Sequence, residues 1–106
     1  MKPLDFVGSS LDDLRSFPDG ASRAAGFELR AVQNGLEPSD WKPIPVISPG
    51  VNEIRIHVLG EWRVICVAKF HNVVYVLHAF HKKTRKTSRR DIDLARQRYS
   101  QIGGNL

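Results

Sequence analysis

Residues 52–80 read "NEIRIHVLGEWRVICVAKFHNVVYVLHAF", and the fold turns on how this stretch is parsed. Ile54, Ile56 and Val58 alternate with Glu53, Arg55 and His57, the period of a strand with one apolar face. Leu59-Gly60-Glu61 has the chemistry of a hairpin turn. Trp62, Val64, Cys66 and Ala68 then alternate with Arg63, Ile65, Val67 and Lys69. His71-Asn72 supplies a second turn, and "VVYVLHAF" at 73–80 is apolar on both faces, as a central strand is. Three antiparallel strands follow from this reading, with Ile54, Ile56 and Val58 needing an apolar layer to cover them. Arg55 and His57 then point to the opposite face, and hairpin pairing brings Arg63 or its neighbours across from them, in a register that the sequence does not fix.

The chain on the N-terminal side supplies the cover. "PLDFVG" reads as a short first strand at Leu4–Phe6. Leu11, Leu14 and Phe17 form a short helical stripe that "PDG" at 18–20 ends, with Ser10 and Asp13 spaced as a capping box. A second helix is expected from about Ala21 to Asn34. Ala21, Ala25, Leu29, Val32 and Leu36 fall near one face, Phe27 widens that face, and Asn34-Gly35 makes the stop. The Pro-rich "EPSDWKPIPVISPG" at 37–50 is an extended connection with an edge strand at Ile44–Ile47. On the C-terminal side, Ser88 with Asp91 opens a last helix. Its buried stripe is Ile92, Ala95, Tyr99 and Ile102, and Gly103-Gly104 ends it. The fold class is therefore α+β: an N-terminal helical hairpin packed on a small, mainly antiparallel twisted sheet, with a C-terminal helix.

The 106 residues, 42% of them hydrophobic, suit one domain spanning 1–106 with one modest core. The longest apolar runs are strand-sized, so no transmembrane helix is expected, and "MKPLDFVGSS" has no apolar signal region. A single cysteine, Cys66, inside a strand pattern points to a reducing, cytoplasmic setting. The net charge of +5 is unevenly placed. Residues 1–53 hold five Lys/Arg and eight Asp/Glu, whereas residues 54–106 hold eleven and three. A strongly basic half on a small domain is the electrostatic footprint of a polyanionic partner.

The basic density peaks in "HAFHKKTRKTSRR" at 78–90, with six Lys/Arg and no Asp or Glu. Arg89 and Arg90 stand in the first turn of the expected helix, where the macrodipole disfavours cations by up to about 1 kcal/mol each. Lys82, Lys83, Arg85 and Lys86 crowd the preceding loop. Local rules broken together mark a functional segment, and a helix start with Thr87 and Ser88 suits phosphate. Among the histidines, His78 lies in the most apolar strand and reads as core, whereas His81 is at the strand end and His57 alternates with Arg55. No metal-ligand spacing, Gly-rich phosphate loop or paired-carboxylate motif is present.

"GVNEIRIHV", "EWRVICVAKF", "VVYVLHAFHKKTRKT" and "DIDLARQR", with "DWKPIP" before them, resemble the RelE/HigB toxins of bacterial type II toxin–antitoxin systems, in their phage-derived branch. The resemblance implies a small α+β toxin that cleaves messenger RNA, usually in the ribosomal A site, without a metal or other cofactor. It implies a helix-turn-helix antitoxin as partner, the ribosome and its RNA as the working surface, and operator DNA bound only through the toxin–antitoxin complex. In such a reaction the RNA 2′-hydroxyl attacks the adjacent phosphate, which needs a base, an acid and cations around the phosphorane. By position the resemblance puts Arg63 at the phosphate, Lys82 and Lys83 there as stabilisers or as a proton donor, His57 and His81 as base or acid, and Arg55, Arg85, Lys86, Arg89 and Arg90 on RNA. Cys66 and His81 stand where Tyr and Gln are expected in similar sequences. Two alternatives stay open: the same fold aimed at a protein target such as DNA gyrase, and a non-catalytic nucleic-acid binder.

Overall fold

The computed structural model describes residues 1–103. The elements run β1 (Leu4–Phe6), α1 (Ser10–Arg15), α2 (Asp19–Gln33), β2 (Trp41–Pro43), β3 (Val51–Ile56), β4 (Trp62–Val67), β5 (Val74–His81) and α3 (Arg89–Gly103). The five strands form one sheet in the order β1-β5-β4-β3-β2. The β2–β3, β3–β4 and β4–β5 pairs are antiparallel, the last two as the short turns within residues 52–80 lead one to expect, while β1 lies parallel to β5. The class is α+β, with α1 and α2 forming the expected hairpin and α3 closing the chain's other side.

The sheet carries an apolar layer on each face. On one side Leu14, Phe17, Ala21, Ala25 and Leu29 of the helical hairpin pack on Ile54, Ile56, Val64, Cys66, Val74, Val76 and Ala79. Burying a side chain such as Leu29 or Ile54 this fully contributes about 1.5–3 kcal/mol. On the other side Ala95 and Ile102 of α3, with Ile44 and Ile47, cover Val51, Ile65, Val67 and Leu77. Part of the face that carries Arg55 and His57 is thus a second core rather than a wet surface. A register shift in the β4–β5 pairing makes this possible. Ile65 pairs with His78 but Cys66 pairs with Val76, so Leu77 is the extra residue of a bulge and joins the α3-side core.

Several expectations are corrected. The edge strand lies at Trp41–Pro43, not Ile44–Ile47. Pro43 and Pro45 bracket Ile44, and the chain turns there, with Ile47 N–H donating to Ile44 O; Ile44 and Ile47 are buried under α3 instead. Ser10 is not a cap: it lies inside α1, buried, and its hydroxyl donates to Val76 O, while Ser9 Oγ donates to Asp13. α2 starts at Asp19, directly after Pro18, two residues earlier than expected. Phe27 and Leu36 are 72% and 65% exposed, because Phe27 sits about 200° around the helix from Ala25 and Leu36 lies past the helix end. β3 ends at Ile56, so Val58 is exposed at the hairpin tip. Leu59 and Gly60 both take positive φ there, 57° and 124°.

α3 opens as its sequence requires. Ser88 Oγ accepts from the Asp91 N–H at 3.2 Å and donates to the Asp91 carboxylate at 2.6 Å. Ala95 and Ile102 are buried and Ile92 and Tyr99 half-buried, matching the expected stripe. The expected Gly103-Gly104 stop is reached at Gly103; Gly104 lies outside the described residues. Arg98 is an unexpected core member. It is 8% exposed, donates to Leu77 O and to Ser9 Oγ, and lies against Gly8, so one guanidinium ties α3 to β5 and to the start of α1.

Candidate functional site

The basic segment and the edge strand face each other across a cleft of about 430 Å³. Lys42, Pro43, Ile44, Pro45 and Val46 form one wall, Lys82, Arg85, Lys86 and Thr87 the other, with Glu53, Arg55 and Ile92 also lining it. Five cations therefore converge on one concavity with one carboxylate among them. β3 delivers Glu53 and Arg55 to the same face because they are two residues apart on a strand. β5 delivers Lys82 because its backbone pairing continues one step past His81, with Lys82 N–H donating to Glu61 O at 2.8 Å.

Glu53 organises the floor. It is 2% exposed and accepts a short hydrogen bond from Thr87 Oγ1, which fastens the basic loop to the sheet. Its other oxygen lies 3.7 Å from Arg55 Nε and 3.6 Å from Arg63 Nε, two arginines that are direct cross-strand partners. Among the described residues neither Nε has a hydrogen-bond acceptor. Without the carboxylate, two like charges would face each other across one strand pair, an unfavourable arrangement.

The network continues toward the hairpin tip. Arg63 is 4% exposed and spends its terminal nitrogens on Trp62 O at 3.0 Å and Glu61 Oε1 at 3.1 Å. Glu61 also faces His57 Nδ1 at 2.8 Å, and His57 Nε2 faces Asp40 at 2.7 Å. Ionised carboxylates only accept, so this geometry favours the doubly protonated ring, the imidazolium. Its pKa is accordingly raised, first by the hydrogen bond to Asp40 and then by that to Glu61, while His57 and then Arg63 hold the Glu61 carboxyl below its usual range. Asp40, His57, Glu61, Arg63, Glu53 and Arg55 thus alternate in charge along one line.

The residues singled out from the sequence divide accordingly. Arg55, Lys82, Arg85 and Lys86 line the cleft. Arg63 joins Arg55 through Glu53, and His57 joins Arg63 through Glu61. Lys83, Arg89 and Arg90 are exposed outside it, with Arg89 3.8 Å from Asp93. His81 turns to the hairpin side of the sheet, its ring stacked on Trp62 at 4.4 Å. His78 is 6% exposed and donates to Asp91 at 2.7 Å, the core role its strand implied. Cys66 is buried, and burial pushes its thiol up to about 12. Tyr99 is half-buried, and hydrogen bonds with Lys69 and Ser48 lower its pKa.

As site residues Lys42, Glu53, Asp40 and Glu61 escaped the sequence reading, whereas Thr87, expected at a phosphate-suited helix start, donates its hydroxyl to Glu53. Glu53 had a visible signal, since it shares the Arg55/His57 alternation. Lys42 had none, because only the sheet order brings the edge strand opposite the basic loop. A second cavity, about 290 Å³, lies under the C-terminal end of α2 and is mostly apolar; Lys2, its one cation, spends its ammonium on Ala68 and Phe70 carbonyls. The charged cleft is the better candidate for chemistry.

The model of the phage-derived protein Gp49-like family (DUF891) matches residues 12–100. The chain belongs to this family. The Gp49-like family is a phage-derived family of toxin–antitoxin type, within the RelE/HigB-type toxin group, and membership implies an antitoxin partner. The matched span of the Gp49-like chain takes in the cleft from Lys42 to Ile92 and the whole His57–Arg63–Glu53 network. No curated protein matches the chain. Among the described residues no helix is long and apolar enough to cross a membrane.

Proposed function

We propose that this Gp49-like chain is a HigB-type toxin that cleaves messenger RNA at the ribosome, without a metal. The observation that carries the reading is the cleft in which Lys42, Arg55, Lys82, Arg85 and Lys86 surround the Glu53 carboxylate. A phosphodiester entering it meets cations on both walls, and positive charge placed around the phosphorus stabilises the pentacoordinate transition state. Glu53 takes the proton of the 2′-hydroxyl, whose oxygen bonds to the adjacent phosphorus. The bond from phosphorus to the 5′-oxygen breaks, and the Lys82 ammonium returns a proton to that oxygen. The products are a 2′,3′-cyclic phosphate and a free 5′-hydroxyl. Arg63 and the His57 imidazolium act from beneath, fixing Glu61 and Glu53 and adding positive potential. Lys83, Arg89 and Arg90 extend the basic track for messenger or ribosomal RNA. A helix-turn-helix antitoxin is the partner that silences the toxin, and operator DNA is bound only through that complex.

The test is tightly controlled expression followed by mapping of transcript ends and their terminal chemistry. Growth arrest with new 5′-hydroxyl ends, lost in Glu53→Gln and Lys82→Ala, is the expected result. Arrest without new RNA ends, or DNA breaks in their place, overturns the reading in favour of another target.

A further inference from the structure

The hairpin side of the β5 end carries a feature that the phosphate chemistry does not use. Phe17, Trp62 and His81 form a continuous run of ring contacts: Phe17 lies tilted at 39° to Trp62 with centroids 4.6 Å apart, and His81 is stacked on Trp62 at 4.4 Å. The run climbs from the core to the surface: Phe17 is buried, Trp62 half-buried and His81 exposed. Trp62 is oriented by its indole N–H, which donates to Leu59 O. Gly60, at φ 124°, passes so close that a Cβ there would lie 3.2 Å from Trp62 Nε1 and 3.7 Å from His81 Nε2. The outermost ring is thus supported from below, yet among the described residues neither of its nitrogens makes a hydrogen bond or ion pair. An exposed, braced aromatic ring with unengaged polar edges is an arrangement for stacking a planar ligand.

Its neighbours say which ligand. His81 is followed directly by Lys82, and successive strand residues project to opposite faces about 3.3 Å apart along the chain. His81 therefore faces the hairpin side while Lys82 faces the cationic cleft. Lys83, Arg85 and Lys86 follow with no acid before Asp91. A ligand that spans this ridge must be flat and uncharged on one side and anionic on the other. A nucleotide of a single strand has that form, and unpaired bases commonly stack on exposed aromatic rings.

We propose that His81 is the stacking platform for one nucleobase of a single-stranded RNA whose neighbouring phosphate occupies the cleft. The inference rests on the RNA-directed reading above and assigns His81 a binding role, not proton transfer. The ring, rather than its protons, is what matters.

The test uses the full chain and a short single-stranded RNA with 2-aminopurine at one position and 2′-deoxy sugars throughout the bound segment, so that it binds without being cut. Wild-type protein is expected to change the probe's fluorescence on binding. His81→Ala and His81→Gln should each weaken binding roughly tenfold, while His81→Tyr, which keeps a ring, retains it. An RNA lacking the stacked base should bind wild type and His81→Ala equally. Thermal melts of all three variants exclude unfolding as the cause. Equal binding by His81→Ala and wild type overturns the platform while leaving RNA binding intact. Rescue by Gln but not Tyr assigns a polar role and also overturns it. Loss of antitoxin binding alone in His81→Ala makes the stack a protein contact instead. Absence of any RNA binding by wild type removes both this inference and the reading on which it rests.

Discussion

The salt dependence of RNA binding tests the cleft most directly, because its magnitude follows from the count of converging cations. Five side chains, Lys42, Arg55, Lys82, Arg85 and Lys86, line the concavity. For an RNA short enough to span the cleft without reaching Lys83, Arg89 or Arg90, with each of the five neutralising one phosphate at about 0.7 counterion released per contact, the slope of log affinity against log salt is about −3.5. Raising salt fourfold, from about 50 to about 200 mM, should then weaken binding by about 130-fold. The Arg85→Ala/Lys86→Ala double variant leaves three cations, so its slope falls to about −2.1 and the same salt step costs about 18-fold. Arg23→Ala and Arg30→Ala, exposed on α2, should leave the slope where it was. The assay is fluorescence anisotropy of a labelled, uncleavable RNA over a salt series. A wild-type slope shallower than about −1, or a double variant with the wild-type slope, refutes the assignment of the cleft to phosphates.

Other consequences are checked on the isolated protein. Leu29→Ala should cost about 2–5 kcal/mol in denaturant unfolding, whereas Phe27→Ser, on the outer face of the same helix, should stay within about 0.5 kcal/mol; a large loss at Phe27 contradicts the helix orientation. Gly8→Ala places a Cβ 2.6 Å from Arg98 Nε at a φ of +60°, so a loss above about 1 kcal/mol is expected, and an unchanged melting temperature would count against the Arg98 anchor. His57 has a raised folded-state pKa, so its stabilising contribution is complete below its unfolded value of about 6.5 and fades as pH rises through the folded value. Asp40→Asn should therefore destabilise the protein below that window and converge with wild type above it, and NMR titration should show a lower His57 pKa; a gap that widens with pH reverses the sign and defeats the argument. Cys66, buried with its thiol pushed up to about 12, should react with a thiol reagent at pH about 8 only at the rate of unfolding, and immediate labelling of native protein would show the core to be open.

How far the sequence reached depended on whether the signal was local. The three-strand meander at 52–80, the two N-terminal helices and the Ser88–Asp91 start of α3 were legible because period-2 and period-3.6 patterns and caps arise from each segment's own backbone geometry. His78 was legible as core for the same reason, since its strand is apolar on both faces. Placement of the edge strand was not. The run Ile44–Ile47 looks like a short apolar strand, but Pro43 and Pro45 turn the chain there and α3 offers Ile44 and Ile47 a core. Phe27 and Leu36 show the same limit, because hydrophobicity states a preference for burial and only the packed neighbours decide whether it is met.

The basic segment shows the division most clearly. By itself the sequence determined that residues 82–90 are cationic, that they leave a central strand and that they open a helix against its dipole. Charge and chain order are covalent facts. Only the tertiary structure decided which cations share a cleft, that Glu53 and Thr87 hold the loop to the sheet, and that Lys42 arrives from forty residues away. It also sent His81 to the opposite side from Lys82, onto Trp62. Those outcomes follow from strand order and pleat direction, which are set by burying apolar faces across the whole chain, and no local pattern carries them.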